Sequence, residues 1–349
     1  MKCRLFLICL VLSASVFAKE YELDAATKQR IKQSAIRFFE TDEVLNLTVR
    51  ADFNSIRADR DRTTNDYHTA TIQIQDDLDT LFILVKIKTR GNFRLKVENC
   101  DFPPLRFNFK KRDVINTVFE GQDKLKLVTH CRDTSEAMQN TMLKEYLVYR
   151  LYNVISEKSL KVRLVKVKYV DVNYGELFSK YAFFIESVDQ MAERLGCEEV
   201  EMANLKQDQL VEENIIKLAL FNYMIGNTDW SVPKLHNVTL LRSNRHAPPV
   251  AIPYDFDMCE FVNASYMHMY MGRELLENRY KGKKVSKESL DSAILHFQEN
   301  RKKMINTVLG FEYLALESKQ ECLNLIDSFY KTIDDRQASR KAFIAEASK

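Results

Sequence analysis

Glycine is scarce, at 8 in 349 residues. That excludes glycine-rich linkers and low-complexity arms, and no internal repeat is present. An excess of charge of one sign is missing too. The 52 Lys and Arg stand against 49 Asp and Glu for a net +3, which favours neither nucleic acid nor a membrane surface. After the first 18 residues no run is apolar enough for a membrane helix. Tryptophan occurs once, at Trp230. The cysteines match no zinc spacing, and nothing suggests a Ser-His-Asp or Cys-His catalyst. What remains is an ordinary globular composition, 46% hydrophobic and 29% charged, with ample material for a two-lobed body.

The first residues read as a cleaved leader. Met1 to Arg4 is a basic head, Leu5 to Phe17 an apolar run too short to span a bilayer, and Val16-Phe17-Ala18 a small-x-Ala cleavage site. The expectation is an exported chain that begins near Lys19. Cys3 and Cys9 leave with the leader, and Cys100, Cys131, Cys197, Cys259 and Cys322 remain. Five is odd, so at least one thiol has no partner within the chain. In an oxidising compartment Cys100 with Cys131 is the first pair to test. Five buried free thiols acting as small apolar residues is the equal alternative.

Periodicity divides the rest. Asp24 to Thr41 carries Ile31, Ala35, Ile36 and Phe39 at helical spacing. Period-two runs follow: 69–75 and 80–90 as a hairpin around Asp76-Asp77, then 105–109 and 123–131. Thr134 or Ser135 can cap a helix with Met138, Met142, Tyr146 and Tyr149 on its apolar face. Strands at 162–172 and 180–187 come next, and beyond Ser187 the pattern turns helical at 189–195, 209–224 and 290–347. The plan is α+β, four or five strands with one embedded helix and then a mostly helical half. The expected division is 19–186 and 187–349.

The most informative stretch is Phe221 to Asp257. It holds Asp229 in Gly-Asn-Thr-Asp-Trp, Asn237 in Leu-His-Asn-Val, and Asp255 and Asp257 in Pro-Tyr-Asp-Phe-Asp. VTLL (Val238 to Leu241) and PVAI (Pro249 to Ile252) read as two short buried strands, and a hairpin of them returns Asn237 and Asp255 to the same end. Carboxylates and an amide gathered there form a hard oxygen site suited to Mg²⁺ or Mn²⁺ on phosphate oxygens. Phosphoryl transfer is the first chemistry to consider, since it needs positioning and charge neutralisation above all. Taken singly, each Asp is more often a turn or cap residue; the order of the group is what raises it.

A phosphate-binding wall needs a base on a strand and an acid on the next helix to orient it. Lys126 and Lys124 share one strand face, and Glu145 or Glu136 follows on the helix. Arg106 competes as a phosphate contact, and solvated strand lysines are the plain alternative. Arg90-Gly91-Asn92-Phe93-Arg94 offers two guanidinium groups at a turn. Glu186 ends an apolar strand where a hinge would meet an adenine edge. Trp230 reads as core, His236 as a satisfied structural histidine, and the basic turn 279–284 as solvated. The Met- and Tyr-rich stretch 258–271 is either mobile core filler or a substrate-facing loop.

On TRGNFR, CDFPPLRFNF, KLKLVTHC, KEYLVYRLYN, VRLVKVKYVD, MIGNTDW, HNV and PYDFD, between about Phe53 and Tyr330, the chain resembles the CotH-like branch of the protein-kinase-like fold, and related exported bacterial proteins. The resemblance implies a β-rich N-lobe and a helical C-lobe. It implies Asp229 as the catalytic Asp, with Asn237, Asp255 and Asp257 on Mg or Mn. Lys126, aligned by Glu145, would contact the ATP phosphates, with Arg90, Arg106, Lys124 and Glu186 as further nucleotide contacts. The implied activity is an exported kinase acting on a protein or other hydroxyl acceptor, with no nucleic acid and no membrane span. The alternative is a catalytically degenerate surface binding module. The chain departs from the family pattern in having Asp-Phe-Asp for Asp-Phe-Gly, Asn-Thr-Asp for His-Arg-Asp, and no multi-glycine loop.

Overall fold

The computed structural model describes residues 24–61, 63–75, 79–267 and 279–345. The leader, the hairpin turn at Asp76-Asp77, and Met269, Tyr270 and Met271 lie outside the described residues. The structure is mixed α+β, with a β-rich part followed by a helical part.

Helix α1 (Ala25–Arg37) starts on an Asp24 cap, whose carboxylate accepts from the Thr27 N–H. Strand β1 (Leu45–Ala51) comes next, then a short helix α2 (Phe53–Ala58). Strands β2 (His68–Gln75), β3 (Thr80–Thr89), β4 (Leu105–Phe109) and β5 (Lys124–Val128) form antiparallel neighbours. After helix α3 (Glu136–Ile155) come β6 (Val162–Asp171) and β7 (Gly175–Ile185). The seven strands close into a barrel in the order β1-β2-β3-β4-β5-β7-β6.

Four or five strands were expected from the pattern, so the closed seven-stranded barrel is a correction. The piece that closes it is β1, which pairs antiparallel with β2 and parallel with β6. LNLTVRA alternates strictly, with Leu45, Leu47, Val49 and Ala51 buried and Asn46 and Arg50 exposed. Its partner β6 lies more than a hundred residues away, and no local signal announces such a pairing. Inside the barrel Phe107, Phe184, Leu125, Val167 and Tyr169 are fully buried. Each such side chain contributes about 1.5–3 kcal/mol by leaving water.

Helix α3 belongs to the other core. Ser135 caps it, accepting from the Met138 N–H, and thirteen of its twenty residues are buried. A helix buried over so much of its circumference runs through an interior. Here Tyr149 meets Phe183 and Phe256, and Tyr152 meets Phe221. The second core extends through α4 (Val188–Leu195), α5 (Glu212–Met224), α6 (Lys287–Leu309) and α7 (Leu316–Asp334), and Phe343, beyond the short α8 (Arg336–Arg340), joins it. Between α4 and α6 a small sheet forms from β8 (Glu198–Glu199), β9 (Val238–Arg242) and β10 (Val250–Pro253), in the order β10-β9-β8. The β9–β10 hairpin pairs Val238 with Pro253, so the residues just outside it, Asn237 and Tyr254, meet: the Tyr254 N–H donates to the Asn237 carbonyl at 3.0 Å.

Cys100 and Cys131 form a disulfide, while Cys197, Cys259 and Cys322 are free. The bond ties the loop after β3 to the turn between β5 and α3. No helix among the described residues is long and apolar enough to cross a membrane.

Candidate functional site

A cavity of about 610 Å³ opens between the barrel and the helical body. Arg90, Arg94 and Lys126 come to it from the barrel side; Asp229, Asn237, Asp255 and Asp257 come from the other. Val128, Leu160, Ile185, Val200 and Leu240 make an apolar part of the lining. Cations on one wall thus face carboxylates on the other, beside a surface that would accept a flat apolar ring.

Asp229 is held on three sides. Its N–H donates to Asn227 Oδ1 at 2.9 Å. One carboxylate oxygen lies 2.7 Å from His236 Nε2, and Asn237 Nδ2 donates to the other at 2.9 Å and to the Asp229 carbonyl at 2.8 Å. The loop closes through paired backbone bonds between Ser231 and His236. No partner among the described residues takes Asn237 Oδ1. Leu235, Asn237 and Asp255 all adopt left-handed backbone, with φ of 48°, 52° and 60°. That conformation costs a non-glycine residue energy, most of all a leucine, and such strain collects where the surrounding structure imposes a working geometry.

Asp255 is accessible from the cavity, and its N–H donates to the Tyr149 hydroxyl at 2.9 Å. The protein packed around its carboxyl raises its pKa; the negative charge of Asp257 adds to this, while Arg94 and Arg90 oppose it. An added cation would relieve that crowding of like charge. Among the described residues no three His, Cys, Asp or Glu side chains gather as a ready metal cage. The donors at hand are the Asp255 carboxylate and the Asn237 amide oxygen. So few protein oxygens suit an ion such as Mg²⁺, which keeps water and substrate phosphates in its remaining positions.

Lys126 reaches the cavity over the Tyr254 ring, with Nζ 5.8 Å from the ring centre. Burial lowers its pKa to about 8, with help from Arg90 and Arg106. No ion pair to a described residue holds it.

Two expected pairings are corrected by the geometry. Glu145 does not orient Lys126. Its carboxylate accepts from Arg94 Nη2 at 2.8 Å, and the same guanidinium bonds Asp257 Oδ2 from Nε at 3.1 Å and Nη2 at 2.8 Å. The Tyr266 hydroxyl donates to that Asp257 oxygen at 2.9 Å. Asp257 is therefore engaged mainly in a buried ionic cluster rather than presented as an open ligand. Arginine suits the position because its planar fork serves two carboxylates at once. Burial raises the Glu145 pKa to about 7 although Arg94 pulls it down. Glu186 is likewise turned away from the cavity: Arg194 clamps both its oxygens, at 2.9 and 2.8 Å, and Glu186 Oε2 caps the Lys161 N–H.

Lys124 and Arg106 do not line the cavity. Arg106 sits directly opposite Lys126 across β4 and β5, and Lys124 is exposed one row further out. The basic turn 279–284 is tied down, not merely solvated. Lys281 Nζ donates to the carbonyls of Thr228 and Trp230 at 2.7 and 2.8 Å, on either side of Asp229, and Arg279 pairs with Glu260. Arg94, Lys281 and His236 are the site residues the pattern alone passed over or read as ordinary. For Arg94 the signal was the second arginine of the Arg-Gly-Asn-Phe-Arg turn; for Lys281 there was none.

No family model matches the chain, and no curated protein matches it. Among solved structures it is similar to that of a Golgi casein kinase, with a TM-score of 0.33 and 8% identity over 93% of this chain and 79% of that one. A likeness of that size leaves function to the geometry of the cavity.

Proposed function

We propose that the protein is a metal-dependent kinase-like phosphotransferase, with a nucleotide triphosphate such as ATP as donor and a hydroxyl group as acceptor. The observation that carries this is the opposition, across one cavity, of the cations Lys126 and Arg90 to the Asp229, Asn237 and Asp255 wall. Phosphates placed between them meet fixed positive charge on one side and a cation-binding oxygen set on the other. The apolar lining at Val128, Leu160, Ile185 and Val200 would take the base.

In this reading Asp255 and Asn237 Oδ1 hold Mg²⁺ or Mn²⁺, which when bound neutralises phosphate oxygens. Lys126 and Arg90 bind the phosphates from the barrel. Asp229, steadied by His236 and Asn237, orients the acceptor hydroxyl and draws off its proton. Arg94 does not contact the phosphates; it fixes Asp257, two residues from Asp255, against α3. The exported location read from the leader remains part of the proposal.

A second reading is a binding module without turnover, favoured by the fact that both Asp229 oxygens are already hydrogen-bonded. Thermal melting with ATP and Mg²⁺ or Mn²⁺, run beside transfer of labelled γ-phosphate, separates the two. A nucleotide at about a hundred times its Kd stabilises by about 2.7 kcal/mol. Phosphotransfer requires both the shift and the transfer; the shift alone supports the binding module, and neither overturns both readings.

A further inference from the structure

The outward face of the barrel next to the cavity carries a charge pattern that extends well beyond the phosphate contacts. Strand register places Lys88, Arg106 and Lys126 directly opposite one another across β3, β4 and β5. The next row out is Lys86, Asn108 and Lys124. Burial alternates so that these six residues share the outer, more exposed face, while Ile87, Phe107 and Leu125 point into the core. Like charges directly opposite each other on neighbouring strands repel. Strands β2 to β5 contain no Asp or Glu, and among the described residues no ion pair reaches any of the five cations. Lys88 has only the Tyr67 ring and Asn65 for company. Among the described residues no ion pair offsets that repulsion.

The same face of β3 continues as Leu84 and Phe82, which are 51% and 61% exposed. Read from the hairpin end toward the cavity it runs Phe82, Leu84, Lys86, Lys88 and then Arg90 at the cavity itself. The strip is apolar at its far end and basic where it enters the site.

We infer that this strip docks an acidic polypeptide segment bearing an apolar residue, laid across β3–β5 toward the cavity; that this segment is part of the phosphate acceptor rests on the phosphotransfer reading. A chain can follow a row of cations into a cavity, whereas a bilayer surface cannot. Asp79, exposed just ahead of β3, would also repel an anionic membrane from the apolar end of the strip.

The test uses the whole chain and a fluorescein-labelled peptide of Glu and Phe, with an equal-length peptide of Lys and Phe as control. Vesicles of phosphatidylglycerol and phosphatidylcholine make a third arm. Wild type binds the acidic peptide, more weakly as salt rises. Lys86→Glu weakens that binding about tenfold, and Phe82→Ser weakens it by about threefold, while neither alters melting or the MgATP-induced shift. Equal affinity for both peptides, no loss in Lys86→Glu, or binding to the vesicles in preference to the acidic peptide overturns the proposal. Peptide binding without any MgATP shift supports the strip and sinks phosphotransfer instead.

Discussion

The two walls of the cavity hold their charges in opposite ways. On the helical side two acids are placed by neighbours, Asp229 by His236 and Asn237 and Asp257 by Arg94 and Tyr266, and only Asp255 keeps its carboxylate toward the cavity. On the barrel side Lys126 has no ion pair with a described carboxylate and faces Arg106 across the sheet. One wall is a finished network, the other an excess of positive charge awaiting an anion. Arg94 is the exception, a barrel-side cation spent entirely on the acids opposite. The difference teaches that a charge balance between the walls is not what holds the cavity; the network wall carries structure, and the unpaired wall is free for a ligand.

Removing the exception should have the largest effect. Arg94→Met leaves Glu145 and Asp257 buried without their cation, at a cost of about 3–5 kcal/mol read by urea denaturation. The pH dependence gives the sign. Without Arg94 the folded-state pKa of Glu145, already raised to about 7 by burial, rises further above its unfolded value of 4.5. Protonation favours the folded state, so the deficit of the variant widens as pH rises above about 7, where the wild-type carboxyl ionises and the variant's keeps its proton, and shrinks again as pH falls back to 7. A deficit that does not change over that window would mean that the cluster is not the source of the loss.

Replacing both Cys100 and Cys131 by Ser should cost about 3–4 kcal/mol, since the bond closes a loop of 31 residues in the unfolded chain. The bond also anchors the far end of the segment after β3 that carries Arg90 and Arg94 to the cavity, so MgATP stabilisation should weaken in parallel; an unchanged ligand shift would show that the other contacts of that segment suffice.

The two acids of the helical wall should separate. Asp255→Ala should abolish the MgATP shift of about 2.7 kcal/mol at a hundred times Kd, while Asp229→Ala should keep the shift and lose transfer. Identical behaviour of the two variants would dissolve the division of roles between them.

The smallest effect is a titration on the barrel wall. Acylation of the Lys126 amine, followed by peptide mass spectrometry, should rise with a midpoint near pH 8 and be suppressed by MgATP. Because the charged form is lost above that pH, nucleotide affinity should decline as pH rises through it. A midpoint near the usual lysine value would contradict the burial and crowding that Arg90 and Arg106 impose.

Much of this molecule was legible in the chain. The β2–β3 hairpin, the Ser135 cap on α3 and the β9–β10 pair all follow from turn chemistry and alternation within a few residues. So did the meeting of Asn237 and Asp255, because a short hairpin brings its own ends together. Two kinds of feature were not legible. One was closure of the barrel by β1 on β6, a pairing across a long stretch of sequence. The other was the partner of Glu145, where the sequence offered a lysine on the adjacent strand and the fold used an arginine from a loop.

Local pattern determined which residues face inward, where helices begin and which acids sit at one end of a hairpin, because these depend on neighbours two to four positions apart. Only the tertiary structure decided which cation meets which carboxylate. Ion pairs are made between whatever side chains packing leaves at hydrogen-bond distance, and at the cavity packing gave Arg94 to Glu145 and Asp257 and left Lys126 without an acid of its own.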